Sequence, residues 1–382
     1  MQGFRGAAVL RDLIGSAGAG DAAIAAAVAR IGADEVAGIL VDELLNRAEL
    51  QAIPQLAERP LVVLFELTAP GGPVRHWVQV GGGKTTHGPD DLGSAHATVD
   101  LPLTELVRVV FGPRGEGELK GHRIRWRDFE DQAALAADMH VVPVLQHLLS
   151  GTTRQPIDLA GLSLRQGSDK WGLHFYSQHY ERHFEPYRDR PLTVLELGIG
   201  GYQDPAAGGG SLRTWKRFLP RALVFGVDIF DKSGVAEQRI YPIKGDQSDP
   251  AFLESLAAEI GPIDIVIDDG SHYCPHVVTA FHTLYKHVAP GGLYVIEDLQ
   301  TSYWPGYGGS SENRNDPATS MGLLKELVDG LNHAEYQLEG YEPSEYDLTI
   351  AGMHFYHNLA VLEKGRNEEA SLPRWVGRER VV

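Results

Sequence analysis

Apolar residues recur at helical spacing near the start of the chain. In ADEVAGILVDELLNRAEL, Val36, Ile39, Leu40, Leu44 and Leu45 share one face, and an Ala- and Leu-rich helical region is predicted over 22–56. The period then shortens. LVVLFEL (61–67) and RHWVQV (75–80) read as strands joined by the turn APGGP. ATVDLPLTELVRVVFGP predicts a strand and a short helix. ELKGHRIRWRD predicts another strand over 118–128, with Ile124 and Trp126 alternating with polar residues. Together these elements predict a small α+β unit over 1–150. The polar, Pro-containing GTTRQPIDL then opens an expected linker over 151–166.

From about residue 190 strands and helices alternate. LTVLELGIG (192–200), ALVFGVDIF (222–230), PIDIVIDDG (262–270) and GGLYVIEDL (291–299) read as strands. SLRTWKRFL (211–219), DPAFLESLAAEIG (249–261) and VVTAFHTLYKHV (277–288) read as the helices between them. Asp249 is placed to cap the second helix, with Pro250 at its first position. Strands alternating with helices imply a doubly wound parallel sheet. The tail breaks the rhythm: YDLTIAGMHFYHNLAVLEKG (346–365) holds two apolar runs with a short connection, the mark of an antiparallel hairpin. An α/β sheet closed in that way points to the class I, Rossmann-like methyltransferase architecture over 167–382 rather than to NAD enzymes.

Composition narrows the function classes. The chain has 382 residues, enough for two domains, and 43% of them are apolar, as in ordinary soluble proteins. A formal net charge of −17 without a local basic patch argues against nucleic acid or anionic membranes as partners. One cysteine, Cys274, rules out a disulfide framework within the chain. The N-terminal stretch has no basic segment followed by a long apolar one, and no run approaches a membrane span, so a cytoplasmic protein is expected.

In open α/β sheets ligands sit beyond the C-terminal ends of the strands, where strand order reverses. The first strand of the alternating region ends Glu196-Leu-Gly198-Ile-Gly200-Gly201. A dinucleotide fingerprint would place a third glycine at 203, which is Gln, and the insertion YQDPAAGGG delays the helix to about Ser211. Asp228 ends the next strand, where a carboxylate can accept hydrogen bonds from a ribose diol. Asp246-Gln247 ends a further strand, YPIKGDQ (241–247), the third in chain order, and could meet an adenine edge or serve as a helix-capping turn. Glu196, Gly198, Gly200, Ser211, Asp228, Asp246 and Gln247 are therefore candidate cofactor residues.

The fourth strand ends in Asp268-Asp269 and the fifth in Glu297-Asp298. Carboxylates crowded on one rim repel unless a cation is present, and hard oxygen donors suggest Mg²⁺, with Mn²⁺ or Ca²⁺ as alternatives. The expected ligands are Asp269, Glu297 and Asp298, with Asp268 facing the cofactor instead. His272 follows Asp269 across a Gly-Ser turn in DDGSH. An imidazole there could take the proton of an acceptor hydroxyl whose pKa a nearby metal lowers. SYWPGYGGSSENRNDP (302–317) reads as a mobile substrate loop, with Tyr303, Trp304 and Tyr307 free to stack on an apolar acceptor.

GSDKWGLHFYSQHYERHF (167–184), VLELGIGG (194–201), GVDIFDKS (226–233), IDDGSH (267–272) and IEDLQTSYWPGYGG (296–309) together resemble the metal-dependent, S-adenosylmethionine-dependent sugar O-methyltransferases of macrolide biosynthesis. The resemblance implies methyl transfer from S-adenosylmethionine to a deoxysugar hydroxyl of a polyketide glycoside. It implies Mg²⁺ on Asp269, Glu297 and Asp298, holding substrate diol oxygens, with His272 as the base. It implies that the segment before the first strand lies over the cofactor, with Lys170 a candidate partner for the cofactor carboxylate. It also implies that the N-terminal domain helps to form a homotetramer in which a neighbouring subunit completes the active site. Two rival readings stay open at this level: a metal-assisted O-methyltransferase acting on a phenol or catechol, and a non-catalytic cofactor-binding scaffold.

Overall fold

A computed structural model describes residues 5–50, 60–81, 84–93, 95–113, 119, 122–127, 141–152 and 158–368. The chain divides into two compact units: Met1–Leu162 with Glu181–Pro191 and Trp215–Leu223, and Ser163–Tyr180 with Leu192–Thr214 and Val224–Val382. Part of the expected linker is helical, and 153–157 lie outside the described residues.

The first unit begins with α1 (Arg5–Ala17), α2 (Asp21–Ile31) and α3 (Ala33–Ala48). The helical region predicted over 22–56 is formed by two helices, α2 and α3. Gly32, at φ 105°, separates them in a backbone conformation that side chains with a Cβ resist. Residues 51–56 of that prediction lie outside the described residues. Strands β1 (Leu61–Ala69), β2 (Gly72–Gly81), β3 (Lys84–Pro89) and β4 (Ala97–Pro102), helix α4 (Leu103–Phe111), β5 (Arg123–Trp126) and α5 (Val141–Ser150) follow. The sheet order is β3-β2-β1-β4-β5. Central β1 pairs antiparallel with β2 and parallel with β4. Its LVVLF run is buried at every position, as an unbroken apolar run in a central strand requires. Val36, Leu40 and Leu44 of α3 are fully buried. Strand β3, KTTHGP, was not predicted, because an edge strand without aliphatic residues shows no period.

Two short helices, α6 (Leu159–Gln166) and α7 (Ser177–Phe184), precede the α/β region. It runs β6 (Leu192–Leu197), α8 (Gly210–Phe218), β7 (Ala222–Asp228), β8 (Ile240–Lys244), α9 (Pro250–Ile260), β9 (Ile263–Asp268), α10 (Cys274–Leu284), β10 (Val288–Ile296), α11 (Ser320–Gly330), α12 (Glu345–Thr349), β11 (Ile350–Tyr356) and β12 (Leu359–Lys364). The seven strands lie in the order β11-β12-β10-β9-β6-β7-β8. Neighbours β10–β9, β9–β6 and β7–β8 are parallel, while β12 is antiparallel to both β10 and β11. This is the doubly wound Rossmann-like sheet closed by the C-terminal hairpin. Asp249 caps α9, accepting from the backbone amides of Ala251 and Phe252 with Pro250 at the first helical position.

Register places the rim. Leu197 of β6 and Ile296 of β10 both sit opposite Asp268 of β9. The next residues of the three strands, Gly198, Asp269 and Glu297, therefore emerge side by side. Chain order also reverses beside β6, which continues outward to β7 and β8 and back to β9 and β10. Among the described residues no helix is long and apolar enough to cross a membrane.

Candidate active site

A cavity of about 650 Å³ opens at this switch point. Its floor is the glycine turn after β6. Gly198 sits at φ +94°, and an added Cβ would stand 2.8 Å from the Asp269 carbonyl carbon and 3.0 Å from Gly270 Cα. Glycine is thus required where the ends of β6 and β9 meet. Gly200, at φ +75°, has nothing within 4 Å of a would-be Cβ and faces open space. One wall is Asp228, whose carboxylate accepts from the backbone amides of Ile199 (3.0 Å) and Phe230 (2.9 Å). Each of those oxygens keeps a lone pair for a ribose hydroxyl. Ile229 and Phe230 continue that wall, and Asp246, Gln247, Gly198, Gly200 and Ser211 also line the cavity.

Three of the expected cofactor residues lie behind the cavity surface. Glu196 is fully buried and accepts from Ser211 Oγ at 3.0 Å, so it anchors the start of α8. Asp268 is buried and accepts from Gln247 Nε2 at 3.1 Å; burial pushes its carboxyl up to about 6. Gln247 in turn accepts from the Ser271 amide at 2.7 Å. Its amide group therefore braces the turn between Asp268 and Ser271, and an adenine edge would meet Asp246 and the backbone instead. Lys170 does not reach the cavity either: it is fully buried.

At the other end of the cavity Asp269, His272 and Asp298 bring one ligating atom each within 4.8 Å of one another. His272 Nε2 lies 3.5 Å from Asp298 Oδ2. His272 (φ 54°) and Asp298 (φ 52°) both adopt the left-handed backbone region, uncommon for residues with a Cβ and concentrated at functional sites. Asp298 Oδ1 accepts from the Tyr176 hydroxyl at 2.8 Å, and His174, stacked on the Tyr176 ring, places Nε2 3.8 Å from the same oxygen. Burial and the Asp298 charge drive the Tyr176 phenol well above its ordinary pKa, so it stays a donor.

Glu297, expected among the ligands, points inward. It accepts from the Tyr180 hydroxyl and lies 2.9 Å from Lys170 Nζ, which also pairs with Asp269. Burial would lower the Lys170 pKa, but Asp269, Glu297, Glu196 and Asp169 outweigh it and hold the ammonium well above the ordinary range. The resemblance implies that the segment before β6 lies over the cofactor, and its Gly167, Ser168 and Asp169 line the cavity. Behind them Lys170, Tyr176 and Tyr180 each hold a carboxylate of the rim; Tyr180 was not singled out, because a tyrosine in an amphipathic helix reads as core.

The donor set fits a divalent cation. Asp269, Glu297 and Asp298 crowd one rim beside a single buried ammonium, Lys170, so their shared charge favours a cation there. Oxygen donors with room for water or substrate suit Mg²⁺. The expected substrate loop is more ordered than its composition suggested. It forms two 3₁₀ turns, Leu299–Tyr303 and Pro305–Tyr307, with Thr301 Oγ1 donating to the Asp298 carbonyl. Trp304 and Tyr307 are exposed with ring centroids 5.8 Å apart; like Tyr303 they stand outside the cavity lining.

Residues 10–121 match the family described as MycE methyltransferase N-terminal. The chain is 48% identical to the 8-demethyl-8-alpha-L-rhamnosyl tetracenomycin-C 2'-O-methyltransferase of Streptomyces olivaceus, over 94% of this chain and 95% of that protein. It is 43% identical to the demethylmacrocin O-methyltransferase of Streptomyces fradiae, over 98% and 95%. The solved structure of the MycE methyltransferase from the mycinamycin biosynthetic pathway, in complex with Mg, SAH and mycinamycin VI, superposes with a TM-score of 0.86. It is 38% identical and covers 97% of each chain. Full-length similarity to these enzymes, on the fold and rim described above, means that this chain belongs to the MycE-type family of S-adenosylmethionine-dependent sugar O-methyltransferases.

Proposed function

We propose that this enzyme transfers a methyl group from S-adenosylmethionine to a deoxysugar hydroxyl of a glycosylated polyketide, with Mg²⁺ bound at the rim. The observation that carries the reading is the meeting of Asp269, His272 and Asp298 at one end of a cavity whose other end is the glycine turn and Asp228. Acceptor chemistry and cofactor pocket are thus adjacent. Of the relatives, one is named for a rhamnosyl tetracenomycin and another for demethylmacrocin, so the shared chemistry is the sugar hydroxyl rather than one aglycone.

S-adenosylmethionine supplies an electrophilic methyl on a sulfonium, and Mg²⁺ supplies positive charge that acidifies and orients an acceptor hydroxyl. Gly198 and Gly200 would let the backbone approach the cofactor closely, and Asp228 would accept from its ribose. Asp269 and Asp298 would hold the metal, with Glu297 behind them on Lys170 and Tyr180. His272 takes the hydroxyl proton at Nε2 as the new C–O bond forms, and the nearby Asp298 carboxylate stabilises the imidazolium. As the C–O bond forms the C–S bond breaks, and the sulfonium charge is dispersed in the transition state and lost in the neutral thioether product, so the protein contributes mainly alignment and proton removal.

We infer further that 1–150 forms an auxiliary, oligomerising domain and that the enzyme acts in the cytoplasm as a homotetramer. Light scattering on the purified chain tests the assembly. For the reaction, the protein is incubated with S-adenosylmethionine and either demethylmacrocin or the rhamnosyl tetracenomycin acceptor, with Mg²⁺ or with EDTA. The expected result is gain of one methyl by mass, abolished by EDTA. His272→Gln should lose roughly 100-fold or more in kcat while binding the demethylated cofactor normally. Methylation indifferent to EDTA refutes the metal role, and equal loss of binding and turnover in His272→Gln refutes the base.

A further inference from the structure

The rim contains a cation of its own. Lys170 Nζ pairs with Asp269 and lies 2.9 Å from Glu297 Oε2, with Asp169 at 3.6 Å. Its side chain is fully shielded from solvent, and so is nearly all of Glu297. A buried ammonium that bridges two carboxylates on adjacent strand ends does the electrostatic work of a metal without being one. We propose that Lys170 is a resident counter-charge that keeps Asp269 and Glu297 together in the metal-free enzyme and competes with the divalent ion for their oxygens.

Three observations support this role. Lys170 follows the Ser168-Asp169 turn that lines the cavity, and its own backbone is tied down: its carbonyl accepts from the amides of Tyr176 and Ser177 and from Ser177 Oγ. The ammonium is thus held in place by the fold rather than delivered by a loose side chain. The Tyr180 hydroxyl donates to the other oxygen of Glu297, so that carboxylate has a donor on each side without any ion. Asp269, by contrast, keeps partial exposure, with 17% of its side chain accessible on the cavity side. It can face Lys170 and an incoming metal at once. Loss of the ammonium would leave Glu297 buried beside Asp269 with only a phenol for compensation, an arrangement of like charges that buried sites do not tolerate. Lys170 is a positioning residue in this scheme; it touches neither cofactor nor substrate.

The competition half of the proposal rests on the metal reading above, whereas the counter-charge half does not. The test is a charge cycle on the full chain: wild type, Lys170→Met, Glu297→Gln and the double variant, each unfolded thermally in EDTA and in Mg²⁺. Mg²⁺ binding is followed by calorimetry, and Mn²⁺ binding by its electron paramagnetic resonance. In EDTA, Lys170→Met should lose roughly 10 °C of Tm, as removal of one partner of a buried pair does. The double variant should recover at least half of that loss. Lys170→Met should bind the divalent ion more tightly than wild type, on the order of tenfold, and gain more Tm from it. A double variant no more stable than Lys170→Met would overturn the counter-charge, since the lysine would then act by packing. Unchanged or weaker divalent binding in Lys170→Met would overturn the competition. If Lys170→Met does not fold, a folded double variant supports the proposal, and failure of both overturns it. A wild type that binds no divalent ion refutes the competition and the metal reading together, while the comparison in EDTA still decides the counter-charge.

Discussion

Replacement of Gly198 by alanine isolates the close approach on which the cofactor floor depends. Two costs act at this position. At φ +94° an alanine pays the left-handed penalty, ~1–2 kcal/mol. Its methyl would also stand 2.8 Å from the Asp269 carbonyl carbon, 3.0 Å from Gly270 Cα, and nearer still to the Asp269 carbonyl oxygen. These neighbours are backbone, so no rotamer change relieves the overlap, and the ends of β6 and β9 must separate. The combined loss is roughly 3 kcal/mol or more, in the range of overpacked cores. Gly200 is the internal control: at φ +75° it pays the same conformational penalty, but a Cβ there meets nothing within 4 Å. Gly200→Ala should therefore lose only ~1–2 kcal/mol. At about 2–4 °C per kcal/mol the two variants should differ by several degrees in Tm without cofactor. Thermal unfolding of both, with calorimetric binding of the demethylated cofactor, decides the matter. Gly198→Ala unfolding within error of Gly200→Ala would refute the steric argument, because both share everything but the contact.

Two further outcomes follow from named groups. Tyr176→Phe removes the donor to Asp298 Oδ1 and should weaken divalent-ion binding roughly 10- to 100-fold, with binding of the demethylated cofactor unchanged; parallel loss of both would mean general disorder of the rim. In the first unit, burial and the neighbouring His87, against Asp34, lower His76 from 6.5 to about 4. The unfolded chain then takes up a proton that the folded chain refuses, so stability present above 6.5 is lost as pH falls through about 4, by about 3 kcal/mol at most. His76→Phe should flatten the Tm–pH curve between those limits relative to wild type, and an unchanged slope would refute the assignment.

The α/β half was legible because its central strands β6, β7 and β9 are buried on both faces and its helices amphipathic, so period and run length carried the topology. The hairpin that closes the sheet showed itself as two apolar runs with a tight connection, now β11 and β12. The first half was less legible for specific reasons. Gly32 falls inside the helical region predicted over 22–56, yet with a φ of 105° it stands between two helices. Strand β3 has only polar residues, glycine and proline, and is held by pairing with β2 and by His87, which reaches Asp42 of α3. Helices α1, α5 and α11 were not predicted; α1 mixes glycine and arginine into its apolar stripe, and α5 carries a proline near its start.

For the site, sequence identified the rim but not the pairing within it. Strand ends can be read from apolar runs, so Asp269, Glu297 and Asp298 could be placed together before any coordinates. Which of them faces the cavity depends on what lies behind. Glu297 is turned inward because Lys170 and Tyr180, more than a hundred positions away, supply an ammonium and a phenol there. Asp298 is turned outward by a left-handed backbone and a hydrogen bond from Tyr176. The same segment thus acts on the rim in two physically opposite ways. A neutral donor such as Tyr176 fixes a carboxylate without reducing its charge, so its removal should weaken metal binding. A cation such as Lys170 fixes its carboxylates by neutralising them, so its removal should strengthen metal binding while destabilising the metal-free protein. The resemblance implies that Lys170 meets the cofactor carboxylate, whereas its complete burial between two carboxylates, which no local stretch of sequence reveals, is the observation that argues for a place behind the rim.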